Sequence, residues 1–465
     1  MLTIPLAAII AALIVFVLLG LRARHSHGLD DYLTARRTQT GTTLGLSFLA
    51  SGMGAWILFA PPEIGAVVGP VAVTGYAVGS ALPFIILGLI GPAIRRRLPA
   101  GRSLTEFSAR RFGHGFRAWV AALSVLYMLC FLAAELTAVG AITGLLSDAD
   151  GRYAITAVAI ATVIYTAAGG LRASLVTDRS QAGLLVVLIA LVAATVFGLA
   201  PGRPAEPPAS LPAPPLGDAL GVALTLILAV TAANLFHQGY WQRVWAARDD
   251  GALRRGAVIG GLSTIAVVAV LGGAGLLAAG RGLPLGTPPI PLFALIADAP
   301  AWLTLPALVL GITLVASSVD TLQNALVSLG VTETGRLERR GARWLSALLM
   351  IPVVLLAWQQ ISVLRLFLIA DLLCATAVIP LLSGLLDRVS PRAALVGALA
   401  GLIGAVIPGT LATGSVAGGL EVASFPGSVP TLGPFAGALG ASALGVAVMA
   451  ALGAGGTSRP GSAPG

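Results

Sequence analysis

The sequence contains no lysine, because all 28 of its basic residues are arginines. A P-loop requires a lysine for the nucleotide phosphates, and Schiff-base chemistry requires a lysine amine. Both are therefore excluded, and an ATP-driven pump with them. Charged residues are also scarce, at 10% of the chain against about a quarter in soluble domains. With 57% hydrophobic residues and a mean hydropathy of +0.94, this scarcity excludes a soluble globular protein.

Cysteine is nearly absent as well, with only Cys130 and Cys374, and both lie inside apolar runs. Two cysteines are too few for a disulfide framework or a thiolate metal site, so we expect them to pack in the interior. The apolar segments also lack HExxH, GxSxG and paired-aspartate arrangements. We therefore expect that the protein is not an enzyme and that it needs no cofactor.

What is abundant is apolar sequence, in segments long enough to cross a bilayer, which takes about 20 residues. Residues 2–21 lack a basic stretch before them and a cleavage site after them, and predict a retained span with its N-terminus outside. Twelve further segments make thirteen predicted spans. This threading places 24 of the 28 arginines in inside loops, as the positive-inside rule requires. The net charge of +9 thus reflects topology, and we expect no nucleic-acid partner.

A proline-rich segment, 201–216, divides the chain after the sixth span and predicts an extended external linker. Spans two to six and seven to eleven then form two blocks of five helices. An odd number of helices forces the second block to be inverted relative to the first. The boundaries that follow are a first helix at 1–24, repeats at 42–200 and 217–388, two further helices within 394–454, and a disordered inside tail at 455–465.

The first helix of each block carries a matched weak point. Ser51-Gly-Met-Gly54 interrupts one, and Thr231-Ala-Ala-Asn234 with Gly239 loosens the other. Interrupted helices at corresponding places in inverted halves indicate a substrate and ion site at the bilayer midplane. Either segment alone is more typical of close helix packing.

Each ionisable residue inside a span adds about 2.5 to 3.5 kcal/mol to the free energy of membrane insertion, so each is expected to have a structural or functional role. Glu135 lies within a span, where it either meets a polar solute or is a neutral acid bonded to a neighbouring helix. Asp320 and Asp371 lie nearer span ends, which favours structural or gating roles. His237 adjoins Asn234 and Gln238, and this polar cluster past the second weak point favours binding.

Ser317 and Ser318 lie side by side within a span. Two adjacent hydroxyls can both face a cation such as sodium, which takes oxygen ligands, although membrane serines more often bond back along their own helix. The partner carbonyls would come from the first weak point, near Ala50 and Met53.

At four places the sequence resembles the sodium:solute symporter family, and the resemblance as a whole covers residues 1 to about 454. LSFLASGMGAW (46–56) followed by Pro61-Pro62 is similar to the first core helix of proline transporters. YTAAGGLRASLVTDRSQ (165–181) resembles the family signature that includes Asp178 and Gln181. ANLFHQGYWQRVWAARD (233–249) and VASSVD (315–320) resemble the sixth and eighth core helices.

The resemblance implies an all-α integral membrane protein of about thirteen transmembrane helices. Its core would be a LeuT-like 5+5 inverted repeat with one extra N-terminal and two extra C-terminal helices. It further implies a sodium site on the carbonyls of Ala50, Met53 and Leu314 and the hydroxyls of Ser317 and Ser318, with Asp178 assisting sodium release. The implied substrate cavity is formed by Trp56, Phe131, Glu135, Asn234, His237 and Gln238.

One departure concerns the substrate. Proline transporters have an aspartate before the methionine of the first core helix, where this chain has Gly52, and the stretch 95–113 is more similar to urea and polyamine transporters. We predict a sodium-coupled symporter of the cytoplasmic membrane, with its C-terminus inside, importing a proline-like amino acid or a urea-like compound by alternating access. Monocarboxylates, pantothenate and sugars are alternative solutes, and a membrane sensor signalling to a partner protein is the alternative function. We expect no obligatory protein partner.

Overall fold

The computed structural model describes residues 4–22, 37–50, 54–101, 103–196, 214–334 and 339–454, and all regular secondary structure in these ranges is helical. For residues 167–182 it describes the backbone alone. The first half of the chain provides helices α1 (Ile4–Arg22), α2 (Gly41–Ala50), α3 (Ala55–Val67), α4 (Pro70–Arg97), α5 (Leu104–Phe112), α6 (His114–Leu146) and α7 (Gly151–Val196).

The second half begins after the proline-rich segment, of which residues 201–213 lie outside the described part of the chain. Its helices are α8 (Leu216–Phe236), α9 (Gln238–Ala246), α10 (Asp250–Gly280), α11 (Pro291–Ala294), α12 (Ala301–Thr334), α13 (Arg339–Ala357), α14 (Val363–Leu382), α15 (Pro391–Thr413), α16 (Val416–Ala423) and α17 (Leu432–Ala454).

Eight of the described helices are long and apolar enough to cross a bilayer, and five shorter apolar helical segments accompany them. Long apolar side chains such as Leu89, Leu262 and Leu348 are exposed on these helices, as expected of surfaces that face lipid. The multi-pass membrane architecture predicted from hydropathy is confirmed, whereas the count of thirteen spans stays a prediction.

Hydropathy predicts separate spans at 152–169 and 180–200 with an inside loop at 170–179, and this prediction was wrong. The structure has a single helix, α7, from Gly151 to Val196. At 1.5 Å per residue it is about 69 Å long, more than twice the thickness of a hydrocarbon core. The segment contains no proline, so every backbone N–H can join the helical hydrogen-bond ladder.

The core helices pack in two groups. One group, the bundle, comprises the interrupted helices α2/α3 and α8/α9 together with α4 and α10, which contact one another closely. The other group, the scaffold, comprises α6, α7, α12 and α13. Each group takes equivalent helices from both halves of the chain, which is the pairing that two repeated blocks produce. Helix α14 contacts both groups, through α3 and α8 on one side and α6 on the other.

Both predicted interruptions are present, although the second lies elsewhere than expected. Helix α2 ends at Ala50 and α3 begins at Ala55 after Gly54, while Ser51, Gly52 and Met53 lie outside the described residues. In the second half, Thr231 to Asn234 remain helical, and the break falls at His237, whose φ of −67° and ψ of 110° are extended. Asn234 lies within the helix, and its side-chain amide donates to the carbonyl of Val230 at 2.9 Å.

Candidate functional site

A narrow cavity lies between the bundle and the scaffold, at the level of both helix breaks. The bundle contributes two residues of the first break region and three around the second, and the scaffold contributes two residues each from α6 and α12. The lining residues are Gly54, Trp56, Asn234, His237, Tyr240, Phe131, Glu135, Ser318 and Leu322.

Glu135 occupies the centre of this arrangement. Its carboxylate accepts a hydrogen bond from the backbone N–H of Ala55 at 2.7 Å and another from the hydroxyl of Ser318 at 2.8 Å. The side chain is 1% exposed, and it is the one carboxylate among the described side chains that line the cavity. The N–H of Ala55 is one of the free donors at the start of α3, where the helix dipole favours negative charge. Glu135 therefore caps a helix that lies 80 positions away in the sequence.

Gly54 is the residue that permits this capping. A Cβ atom at position 54 would collide with Oε1 of Glu135 and with the side chain of Ser318. The backbone of Gly54 is extended, with φ −103° and ψ −152°, so the requirement is for space and not for an unusual backbone angle. The glycine lets α6 and α12 approach the break from the scaffold side.

Aromatic side chains form much of the remaining wall. Tyr127 packs on Phe131 with ring centroids 4.4 Å apart, and Phe131 packs on Phe367 at 4.6 Å. On the bundle side, Trp56 packs on Tyr76 at 5.8 Å, and His237 packs on Tyr240 at 4.6 Å. Aromatic faces beside a carboxylate are the recognition chemistry of an organic cation.

The second break is held by its own residues. The Nδ1 atom of His237 accepts from the N–H of Gly239 at 3.1 Å, and the indole N–H of Trp241 donates to the carbonyl of Leu235 at 2.7 Å. A hydrogen bond links this break region to α2, because Nε of Arg243 donates to the hydroxyl of Ser47 at 2.8 Å.

The predicted substrate residues are largely brought together. Five of the six, Trp56, Phe131, Glu135, Asn234 and His237, line the cavity, and their binding of a solute stays a prediction. Gln238 faces elsewhere, because its side-chain oxygen accepts from the N–H of Leu104 at the start of α5. Sequence reasoning missed Tyr240 and Leu322, which follow His237 by three positions and Ser318 by four. Helical spacing from the predicted residues is the signal that would have found both.

The predicted sodium ligands are described only in part. Leu314 and Ser317 are fully buried in α12, and Ser318 adjoins the first break. Ala50 ends α2, whereas Met53 lies outside the described residues. Asp178 belongs to the part of α7 whose side chains are not described. The sodium site therefore stays a prediction.

Two further acids that the sequence singled out are buried. Asp320 is fully buried in α12, and Asp371 is 5% exposed in α14. We expected Asp371 near the end of a span, but it is the ninth of the twenty residues of α14. This position places it in the interior of the molecule, at the junction of bundle and scaffold.

The model of the sodium:solute symporter family matches residues 32–203. A spermidine transporter of Candida albicans is 31% identical over 366 residues, which are 77% of this chain and 70% of that transporter. This chain belongs to the sodium:solute symporter family. The resemblance drawn from the four motifs is thereby confirmed.

Solved structures share the fold of this family member. A sodium-coupled sialic acid symporter in a substrate-bound, outward-open state aligns with a TM-score of 0.69 at 16% identity, covering 97% of this chain and 98% of its own. The nucleobase-cation symporter Mhp1 aligns in a closed, ligand-bound conformation with a TM-score of 0.56 at 16% identity, over 91% and 97% of the two chains. These alignments confirm the predicted all-helical, LeuT-like fold class.

Proposed function

We propose that this family member is a sodium-coupled symporter whose solute is a small organic amine, with Glu135 as the counter-charge of its ammonium group. The observation that carries the proposal is the buried carboxylate of Glu135 at the first helix break, among aromatic side chains. An ammonium ion donates to a carboxylate in a charge-assisted hydrogen bond and lies favourably over aromatic faces. The spermidine transporter among the relatives supports an amine, and the family supports sodium.

The same carboxylate argues against solutes that carry an acid group. The start of an interrupted helix is the usual position for a substrate carboxylate, because backbone N–H groups and the helix dipole converge there. In this chain Glu135 already accepts from the first N–H of α3. A proline-like amino acid, a monocarboxylate or pantothenate would place a second negative charge beside it. Like charges at that distance disfavour each other strongly when water is excluded.

Coupling between ion and solute follows from Ser318. The resemblance to the family implies a role for Ser318 as a sodium ligand, and in this structure its hydroxyl donates to Glu135. One side chain thus belongs to the implied ion site and also contacts the proposed solute site. Sodium bound at Ser318 would draw the hydroxyl oxygen toward itself and free Oε1 of Glu135 to accept from an ammonium group. Each ligand would then favour the binding of the other, as symport requires.

Uptake by proteoliposomes tests the proposal. Labelled spermidine, putrescine, urea, proline, acetate, pantothenate and glucose are offered with an inward gradient of sodium or of potassium. We expect uptake of amines that depends on sodium. Glu135→Gln removes the charge and should weaken amine binding by about 10- to 150-fold, the equivalent of about 1.5 to 3 kcal/mol.

Glu421→Gln is the matched control, since Glu421 is an exposed acid on α16, away from the cavity. It should leave uptake unchanged. The proposal is wrong if uptake of every solute ignores sodium. It is also wrong if the transported solute is an acid, or a neutral compound such as urea whose affinity Glu135→Gln does not alter.

A further inference from the structure

A second buried carboxylate, which the proposed function does not use, lies further along α3. Glu63 is 2% exposed. One of its oxygens accepts from the hydroxyl of Ser362, which precedes α14, at 3.3 Å. The other oxygen, Oε2, is buried and has no hydrogen-bond partner in the described part of the chain. A carboxylate that is buried and only half satisfied is costly unless a ligand completes its bonding.

Helical register places Glu63 on the same face of α3 as Trp56, which lines the cavity. Glu63 follows Trp56 by seven residues, or about two turns, so both side chains project from that face. Glu135 contacts α3 at the backbone N–H of Ala55. Ala55 precedes Glu63 by eight residues, which corresponds to about 12 Å along the helix axis.

Aromatic side chains that suit a cation lie next to the cavity. The Tyr76 ring packs on Trp56 with ring centroids 5.8 Å apart. The ring of Tyr127 packs on Phe131, and its hydroxyl is buried without a partner among the described residues. This unpartnered hydroxyl is independent of the acids, and it marks a second place where a donor or acceptor is missing.

Arg365, the arginine nearest to Ser362 in the sequence, does not neutralise Glu63. Arg365 follows Ser362 by three residues, and its guanidinium donates to the carbonyl and the hydroxyl of Ser424. Its bonds are therefore made to the segment after α16. Neither Glu63 nor Glu135 takes part in an ion pair among the described residues.

We propose that Glu63 and Ser362 form a second ammonium subsite, which holds the distal amine of a diamine or polyamine whose proximal amine lies at Glu135. The methylene chain would lie along Trp56 and Tyr76. This inference rests on the proposed function and adds a length requirement to it. The terminal nitrogens of extended spermidine are nine bonds apart, or about 11 Å. This length is close to the rise of about 12 Å along α3 from Ala55, which Glu135 contacts, to Glu63.

A length series of straight-chain diamines tests the subsite in the wild-type protein. Diamines from 1,3-diaminopropane to 1,10-diaminodecane and the corresponding monoamines compete with labelled spermidine for sodium-driven uptake. We expect affinity to rise with length and to reach a maximum near 1,8-diaminooctane, whose nitrogens are also about 11 Å apart. Diamines near this length should exceed monoamines of equal length in affinity by at least about tenfold.

Variants show which carboxylate is responsible for the preference for long diamines. Glu63→Gln should remove the advantage of long diamines and leave monoamine affinity unchanged, whereas Glu135→Gln should weaken both classes. Glu421→Gln again serves as the control that should alter neither. If Glu63→Gln fails to reach the membrane, the wild-type length series still decides the question.

The two proposals fail differently. Amine affinity that does not depend on the distance between nitrogens overturns the second subsite and leaves the proposed function standing. The same holds if Glu63→Gln weakens monoamines and diamines equally. If no amine competes at all, the proposed function itself is wrong.

Discussion

The two helix breaks of this transporter are built in opposite ways. At the first break, Glu135 accepts a hydrogen bond from the free N–H of Ala55, which lies 80 positions before it in the sequence. Ser318, which lies 183 positions after Glu135, donates to the same carboxylate. At the second break, His237 and Trp241 bond to residues two and six positions away. One break is completed by other helices, and the other completes itself.

Because of this difference, we expect the two breaks to have different roles in transport. A break closed by side chains of the scaffold senses how bundle and scaffold are positioned, because its hydrogen bonds cross from one group to the other. A break closed by its own residues keeps its shape whichever way the groups move. We therefore expect the first break to report on ligand binding and the second to act as a stable element of the bundle.

Substituting the glycine of each break gives the largest expected contrast. Gly54→Ala places a methyl group where Glu135 and Ser318 lie, so it displaces two hydrogen bonds at the proposed amine site. Sodium-driven uptake should fall by at least about 100-fold. Gly239→Ala meets the His237 ring at 2.9 Å and the Arg243 guanidinium at 3.3 Å, which is less close than the contacts at position 54. It should reduce uptake only a few-fold.

Uptake is measured as kcat/KM per molecule of protein in the bilayer, so that poor insertion is not mistaken for lost function. Equal losses in the two variants would contradict the contrast between the breaks.

The serine pair provides the next contrast. If both hydroxyls bind sodium, Ser317→Ala and Ser318→Ala should each raise the sodium concentration for half-maximal uptake by about tenfold, since about 1.4 kcal/mol corresponds to that factor. Only Ser318→Ala should also change the affinity for the amine, because only Ser318 is seen to donate to Glu135. Unchanged sodium dependence in both variants would refute the sodium site implied by the family.

The link between the two breaks should have a smaller effect. Ser47→Ala removes the acceptor that Arg243 uses in α2 and should loosen the contact between α2 and α9. The test uses a cysteine at position 234 in a background with Cys130→Ala and Cys374→Ala. When Ser47→Ala is added, this cysteine should react several-fold faster with a thiol reagent applied from the side of the membrane at which α9 lies. Ser80→Ala is the control, since the Ser80 hydroxyl donates to the backbone carbonyl of Tyr76 within the same helix. Equal rates in both variants would show that the link does not restrict access.

The smallest expected effect concerns the start of α10, after the second break. Asp249 accepts from the N–H of Ala252 at 2.6 Å, and this bond, with the neighbouring Arg248, holds the pKa of its carboxyl below the ordinary value. Because the pKa is lowered in the folded state, the ionised carboxylate stabilises the fold at pH values above its ordinary pKa, near 3.9. This stabilisation is lost as the pH falls through the pKa of the folded state. The melting temperature of the wild type should exceed that of Asp249→Asn slightly at pH 6, and the two should converge toward pH 3. A difference that persists at pH 3 would contradict this account.

The site shows how far sequence reasoning reached. Glu135, Asn234 and His237 were identified because polar residues in apolar segments are rare, and the first break because glycines cluster there. The second break was placed three residues too early, because small residues suggested weakness at Thr231 to Asn234. The decisive event was the extended backbone of His237, which its own imidazole stabilises. Gln238 was predicted from its neighbours, but α9 turns its side chain toward α5.

Hydropathy, the distribution of arginines and the glycine-rich interruption determined by themselves that this is a multi-pass helical protein with an interrupted helix in each half. These features depend on local composition, which sets where a chain enters lipid and where a helix weakens. Only the tertiary structure decided that Glu135 caps α3, that Ser318 joins it, and that Glu63 is buried with an oxygen unsatisfied. Contacts between helices depend on the rotation and tilt of each helix against its neighbours. Packing of the whole bundle sets those angles, and no single segment of the sequence encodes them.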